Sequence, residues 1–303
     1  MSPFTFPPDG GAGVIVIDNT SDGYNYTFTA QLRKPFDFGL NTSLAYTFLQ
    51  AKSQIKSTEI ARSLWEENPV QGDPNNPELS YSEFGMRHRI VGGATYRHQW
   101  SPGVATSFGL FLEVAEGNSF RGAGGNRYSF TYSGDVNGDG ATGNDLIYIP
   151  RDQSEIIFDP ITDASGNVIS TPAEQWTALN AFIEQDDYLS SHRGEIAERF
   201  GALNPWFSNI DLRVLQDFSL NVGAQRHTFQ VSFDILNVAN LLNSNWGVRK
   251  VASGAATIPL TLQRFDAEGT PVFNFTGPEK TFIDDPGLNS RWQIQLGFRY
   301  FLN

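Results

Sequence analysis

Apolar and polar side chains alternate along much of this chain with a period of two. The C-terminal segment shows it best: Trp292, Ile294, Leu296, Phe298, Tyr300 and Leu302 fall on every second position, with Gln293, Gln295, Gly297 and Arg299 between them. Successive side chains of a strand point to opposite faces, so this segment has one apolar face and one wet face. The same alternation recurs over residues 24–33, 36–48, 89–100, 104–114, 210–214 and 229–235. It predicts seven strands, most near the roughly ten residues that a tilted strand needs to cross a bilayer. Residues 13–17 are a candidate remnant of another.

The connections alternate too, in length. Short links fall near residues 33–36, 100–103 and 220–226, and long polar ones near 52–84, 116–207 and 239–289. Outer-membrane barrels have short periplasmic turns and long extracellular loops. Counted back from a periplasmic C-terminus, every short link lies on one side and every long one on the other. A soluble sandwich has no reason to sort its loops in this way. No run of 18 apolar residues occurs, which excludes a transmembrane helix but not a barrel strand. The expected fold class is therefore all-β: an antiparallel transmembrane β-barrel with long extracellular loops in the outer membrane of a Gram-negative bacterium.

Seven or eight strands barely close the smallest barrels, and an open edge cannot be satisfied by lipid. The expectation is a larger barrel of which residues 1–303 form the C-terminal part, its other strands preceding Met1. The first residues, with neither the charged start nor the apolar core of a signal peptide, fit that reading. One helix is predicted, in the longest loop. Thr171, Pro172 and Glu174 form a capping box with proline at the first helical position, and Trp176, Leu179, Phe182 and Ile183 share a face.

Composition narrows the function classes. A net charge of −12 removes nucleic acid as a partner, since no basic patch offsets phosphate repulsion. Without cysteine there are no disulfides or thiolate metal sites. The histidines His88, His98, His192 and His227 are scattered, and no nucleophile elbow, phosphate loop or dinucleotide fingerprint appears, so no enzyme is expected. Glu66/Glu67 and Asp186/Asp187 read as solvated loop charges.

Two constellations remain. Asp135, Asn137 and Asp139, followed by Gly140, place oxygens at positions one, three and five of an EF-hand-type turn, with Asn144 and Asp145 beyond them. The twelfth position, where a bidentate Glu belongs, is Leu146. Calcium (Ca2+) is one reading; a Gly/Asn/Asp turn that bonds its own backbone is the other. The second constellation is a set of charges expected to face the lumen: Arg33, Asp37, Arg89, Arg97, Glu113, Asp211, Arg213, Asp234 and Arg299. They either contact a plug or solute path, or pair with one another along the wall.

Three stretches carry a resemblance to a known family. The first is Tyr128-Ser-Phe-Thr-Tyr-Ser-Gly-Asp-Val-Asn-Gly-Asp-Gly140, with Asn144-Asp-Leu-Ile-Tyr-Ile-Pro150 after it. The second is Arg193-Gly194 with Asn204-Pro-Trp206 and Asp211-Leu-Arg-Val-Leu-Gln-Asp217, and the third is Phe233-Asp-Ile-Leu-Asn-Val-Ala-Asn240 with the terminal strand. The chain resembles the C-terminal barrel region of TonB-dependent outer-membrane receptors, in particular the Oar-like group. The resemblance implies a 22-stranded barrel, an N-terminal plug and energy from TonB. This chain has no plug or TonB box and strands for about the last third. It also implies that Gly297, Phe298 and Tyr300 belong to the signal read by the barrel-assembly machinery, although Leu302 and Asn303 follow Phe301 at the end. The function expected is transport of an unidentified large solute, or export of a protein, across the outer membrane. The alternatives are a non-transporting adhesion barrel and a soluble calcium-dependent β-sandwich.

Overall fold

The computed structural model describes residues 15, 17–56, 60–83, 85–117 and 127–302. The candidate strand at 13–17 lies largely outside them. Seven long strands are present: β1 (Tyr24–Pro35), β2 (Leu40–Ser53), β3 (His88–Ser101), β4 (Val104–Ala115), β5 (Phe207–Val222), β6 (Gln225–Leu236) and β7 (Gln293–Leu302). They lie side by side in chain order, each antiparallel to the next. Among the described residues only the two-residue strand Ser80–Tyr81 joins this sheet off the main path, against β2. Among the described residues β1 pairs only with β2 and β7 only with β6, so the sheet is open at both edges.

The three tight hairpins each turn on a glycine in the left-handed region: Gly39 (φ +93°), Gly103 (φ +91°) and Gly223 (φ +61°). The first turn falls later than the alternation predicts. Phe36 N–H donates to Leu40 O, and Gly39 N–H to Phe36 O, which places Phe36, Asp37 and Phe38 in the turn rather than on a strand.

Successive registers are offset in one direction. From the middle of β7, Phe298 pairs with Val231, Val231 with Gln216, Gln216 with Thr106, and Thr106 with His98. The next step reaches the β1–β2 turn, because Tyr96 already faces Leu40, the first residue of β2. A row perpendicular to the strands thus starts mid-strand at one edge and leaves the sheet at a hairpin near the other. This is the shear of a sheet whose strands are tilted.

The three long connections emerge at the same end of the sheet and fold together into a cap. The hydrophobic core of the described molecule lies in this cap. Phe130, Ile147, Ile149, Leu179, Phe182, Ile183, Leu189, Leu260 and Phe273 form one buried cluster. The helix α2 (Pro172–Glu184) is present with both halves of its capping box, and Leu179, Phe182 and Ile183 are its buried face. Its floor is a four-stranded sheet of Tyr132–Ser133, Leu260–Phe265, Pro271–Phe275 and Ile157–Phe158.

The expectation of a single helix was too low. Four more are present: α1 (Ala61–Glu67), α3 (Asp187–Ser191), α4 (Val238–Leu242) and α5 (Gly254–Thr257). Each spans one or two turns, too short for a 3.6-residue stripe to register. A buried arginine ties two connections together. Arg199 donates to the carbonyls of Ser53 and Gln54 and to Asn68 Oδ1 (3.1 Å), and Ser80 Oγ donates to its carbonyl (2.7 Å). Burial lowers its guanidinium to about 10, a cost accepted for the carbonyls it joins.

Candidate functional site

Cross-strand partners share a face, so the registers assemble both faces of the main sheet. One apolar row runs Leu32, Leu44, Gly92, Leu112, Ile210. Another runs Tyr96, Phe108, Val214, Phe233, Leu296. Leu32, Leu44, Phe108, Phe233 and Leu296 are exposed, as is Phe298 on the same face, while Leu112, Ile210, Val214 and Tyr96 are half-buried: Phe298 is 80% exposed, Leu32 69% and Leu296 65%. An apolar surface several strands wide far exceeds the scattered apolar residues of an ordinary water-facing wall.

Aromatic groups with polar tips stand at both ends of that face. At the loop end, Tyr26 Oη donates to Gln50 Oε1 (2.9 Å), and Trp206 and Trp292 are half-exposed. At the turn end, Trp100 Nε1 donates to Thr106 Oγ1 (2.8 Å), and Tyr300 Oη bonds His227 Nδ1 (2.5 Å). Such rings suit a boundary between apolar and wet surroundings.

The opposite face carries most of the expected charges, and it pairs them. Arg89 meets Glu113 (2.7 Å), Arg97 meets Asp217 (2.8 Å), and Arg213 grips Asp234 through two bonds (2.5 and 3.1 Å). Asp217 was missing from the expected set, although its odd-numbered position shares the parity of Asp211 and Arg213. Asp211 instead accepts from Asn209 Nδ2 (2.9 Å) and from Asn237 N–H (2.8 Å), where the chain turns out of β6. Arg33 and Arg299 lie on the edge strands β1 and β7 and form no ion pair among the described residues. Asp37 is in the first hairpin turn, not on this face. Gly297 also belongs here: a Cβ there would stand 2.5 Å from Ser232 Oγ, so a larger residue would oblige that hydroxyl to turn aside. Phe298 and Tyr300, by contrast, point to the apolar side.

The acidic turn brings all five of its expected residues into one bonded group. Asp135 accepts from the N–H groups of Gly138 (2.7 Å), Asp139 (3.1 Å) and Gly140 (2.9 Å). Asn137 Oδ1 accepts from Asp139 N–H (2.9 Å), and Asp139 Oδ1 from Ala141 N–H (2.7 Å). Gly138 and Gly140 supply the left-handed conformations that wind the loop. Asp145 then reaches back across the opening, its Oδ2 accepting from Val136 N–H (2.7 Å) and Asn137 N–H (3.4 Å). Leu146, at the twelfth position, is turned into the cap core. Burial, with the nearby charges of Asp139 and Asp135, pushes Asp145 up to about 6. Among the described residues no three His, Cys, Asp or Glu groups converge closely enough to hold a metal by themselves.

The remaining candidates resolve into structural roles. His88 bonds Tyr46 Oη (2.8 Å) and stacks on Trp206, His98 meets Trp100 edge-on, and His192 stacks on Tyr188. Glu66 pairs with Arg62, and Glu67 with Lys56. Asp186 is not a solvated charge. It is buried and caps α3, accepting from Tyr188 N–H (3.0 Å), Leu189 N–H (2.9 Å) and Thr281 Oγ1 (2.7 Å).

The chain matches no protein-family model, no curated protein and no solved structure.

Proposed function

We propose that the main sheet is a stretch of the wall of a transmembrane β-barrel in a Gram-negative outer membrane, with the cap on the extracellular side. One observation carries this reading: seven neighbouring strands present an apolar face that nothing in the described chain covers, while the chain's own core lies elsewhere. A soluble sandwich stacks a second sheet about 10 Å away over such a face, and no such layer lies over it among the described residues. Hydrocarbon is the medium that leaves an exposed apolar face without penalty. The aromatic residues at both ends of the face, the tilted registers and the paired polar face support the same reading.

Within that wall, the resemblance to TonB-dependent receptors favours transport of a large solute over adhesion. The barrel is completed by strands adjoining the open edges of β1 and β7, a plug accounts for the unpaired charges of Arg33 and Arg299, and TonB supplies the energy. The barrel-assembly machinery inserts the sheet by way of β7.

Single cysteines at adjacent positions of β7 test the wall. With the chain folded into phospholipid vesicles, Phe298→Cys is expected to react with a lipid-soluble maleimide, and Arg299→Cys with a water-soluble one. Equal reactivity of both positions from water, or recovery of the chain as a folded monomer without detergent, overturns the membrane reading.

A further inference from the structure

The acidic turn carries three carboxylates on one short loop, Asp135, Asp139 and Asp145, and no lysine or arginine forms an ion pair with any of them among the described residues. Their coupled charges, packed against a cap that excludes water, lack a counter-charge. A second observation is independent of the acids. Asn144 is fully buried, and its Oδ1 has no hydrogen-bond donor. Its Nδ2 donates to Asp139 Oδ2 (2.8 Å), which holds the amide against the carboxylates with its oxygen unsatisfied. A buried acceptor without a donor pays its full desolvation cost, so native proteins seldom leave one unanswered.

We infer that this turn binds one calcium ion, held by side-chain oxygens of Asp135, Asn137, Asp139 and Asp145 and by Asn144 Oδ1. Because three carboxylates do not converge unaided, the shell draws on amide oxygens as well, in keeping with the six to eight oxygens and loose geometry that calcium accepts. Asp145 takes the closing position that the residue pattern left vacant at Leu146, since its carboxylate returns over the start of the loop.

The site also clamps two connections together. Trp65 Nε1 donates to Asp139 O (3.1 Å), and Asn144 Nδ2 to Trp65 O (3.2 Å). Val70 N–H donates to Asn144 O (2.8 Å), Leu146 N–H to Val70 O (3.0 Å), and Asn137 Nδ2 to Gly72 O (2.7 Å). A cation that fixes residues 135–145 therefore fixes the segment around Trp65–Gly72 against the long connection. The inference concerns the cap alone and holds whether or not the sheet lies in a membrane.

Terbium, a calcium mimic, is the probe, with Trp65 beside the loop as its sensitiser. The full chain, stripped with chelator and folded in detergent, is titrated with terbium while Trp emission excites it, and the signal is then displaced with calcium. The expected result is saturable, calcium-displaced luminescence that weakens at least tenfold in Asp135→Asn and is lost in Trp65→Phe, with calcium raising the melting temperature of the parent but not of Asp135→Asn. No calcium-displaced signal in the parent overturns the inference, and so does equal affinity in parent and Asp135→Asn. Asp139→Asn serves if Asp135→Asn does not fold.

Discussion

The cap and the sheet treat the same kinds of side chain in opposite ways. In the cap, Phe130, Phe182 and Ile149 are sealed by the protein's own layers, whereas in the sheet Phe298, Leu296 and Leu32 stand exposed. The polar groups differ as well: the sheet pairs its arginines and carboxylates along one face, while among the described residues the cap gives its carboxylate cluster backbone donors but no ion-pair partner, and leaves a buried amide oxygen without a donor. A region that buries its own apolar groups is stable in water by itself. A region that pairs its charges on a wet face and leaves its apolar face bare depends on the medium against that bare face.

The largest test of this contrast lies in the core of the cap. Phe182→Ala removes a fully buried ring next to Phe130 and Phe275, and about 3–5 kcal/mol of cap stability should go with it. Phe298→Ala, by the same reasoning, removes a ring that nothing in the described chain covers, and with the chain folded in detergent it should cost the cap little. Denaturant titration followed by limited proteolysis of the cap measures both. Comparable losses at the two positions would erase the distinction.

A charge placed on the apolar face sharpens the comparison from the other side. Phe298→Arg should lower folding stability in lipid vesicles by about 2–4 kcal/mol, the cost of an arginine near the bilayer midplane. An ordinary water-facing sheet would be made more soluble by the same change. Folding equilibria in vesicles of fixed composition provide the measurement, and an unchanged equilibrium contradicts the assignment of this face to lipid.

On the polar face the expected effects are smaller. Arg213→Ala leaves the Asp234 carboxylate, 6% exposed, without its two-bond partner. Because the guanidinium is itself more than half exposed, screening limits the loss to about 1 kcal/mol. A double-mutant cycle with Asp234→Ala isolates the pair, and a coupling energy near zero means that the face is only solvated, not ordered by its charges.

The sheet was legible because its alternation has period two and one face is uniformly apolar. The sorting of loop lengths then fixed which end each connection leaves from. At the first hairpin the same signal overran: Phe36 and Phe38 continue the alternation through a turn, and only Gly39 marks where the chain reverses. Asp217 was legible by parity and was passed over. The cap was legible at α2 and at the acidic turn, where specific residue types sit at fixed spacings. The rest was not. α3 is set by the Asp186 cap and α5 by Ser253, single contacts rather than patterns. Phe130 and Ile149 share a core with Phe273, more than a hundred residues further on, and no local period announces such a core. Arg199 illustrates the same gap: its partners Ser53 and Gln54 lie about 145 residues away.

The smallest expected effect tests whether cap and sheet are energetically separate. Thr171 Oγ1 accepts from Glu174 N–H (3.3 Å), while the Glu174 carboxylate accepts from Thr171 N–H (2.8 Å), so each side chain satisfies the other residue's backbone N–H. Thr171→Ala removes that acceptor and should cost about 1 kcal/mol. The inner face of α2, with Leu179, Phe182 and Ile183 in the core, holds the helix in place regardless. The loss should therefore appear as faster amide exchange over the first turn of α2, with vesicle insertion of the sheet unchanged. The core that α2 helps build lies in the cap and the apolar face of the sheet lies outside it, so the two share little that a fraying helix start could disturb. Slower insertion of this variant would mean that the cap folds first and guides the sheet, and the two regions would then form a single cooperative unit.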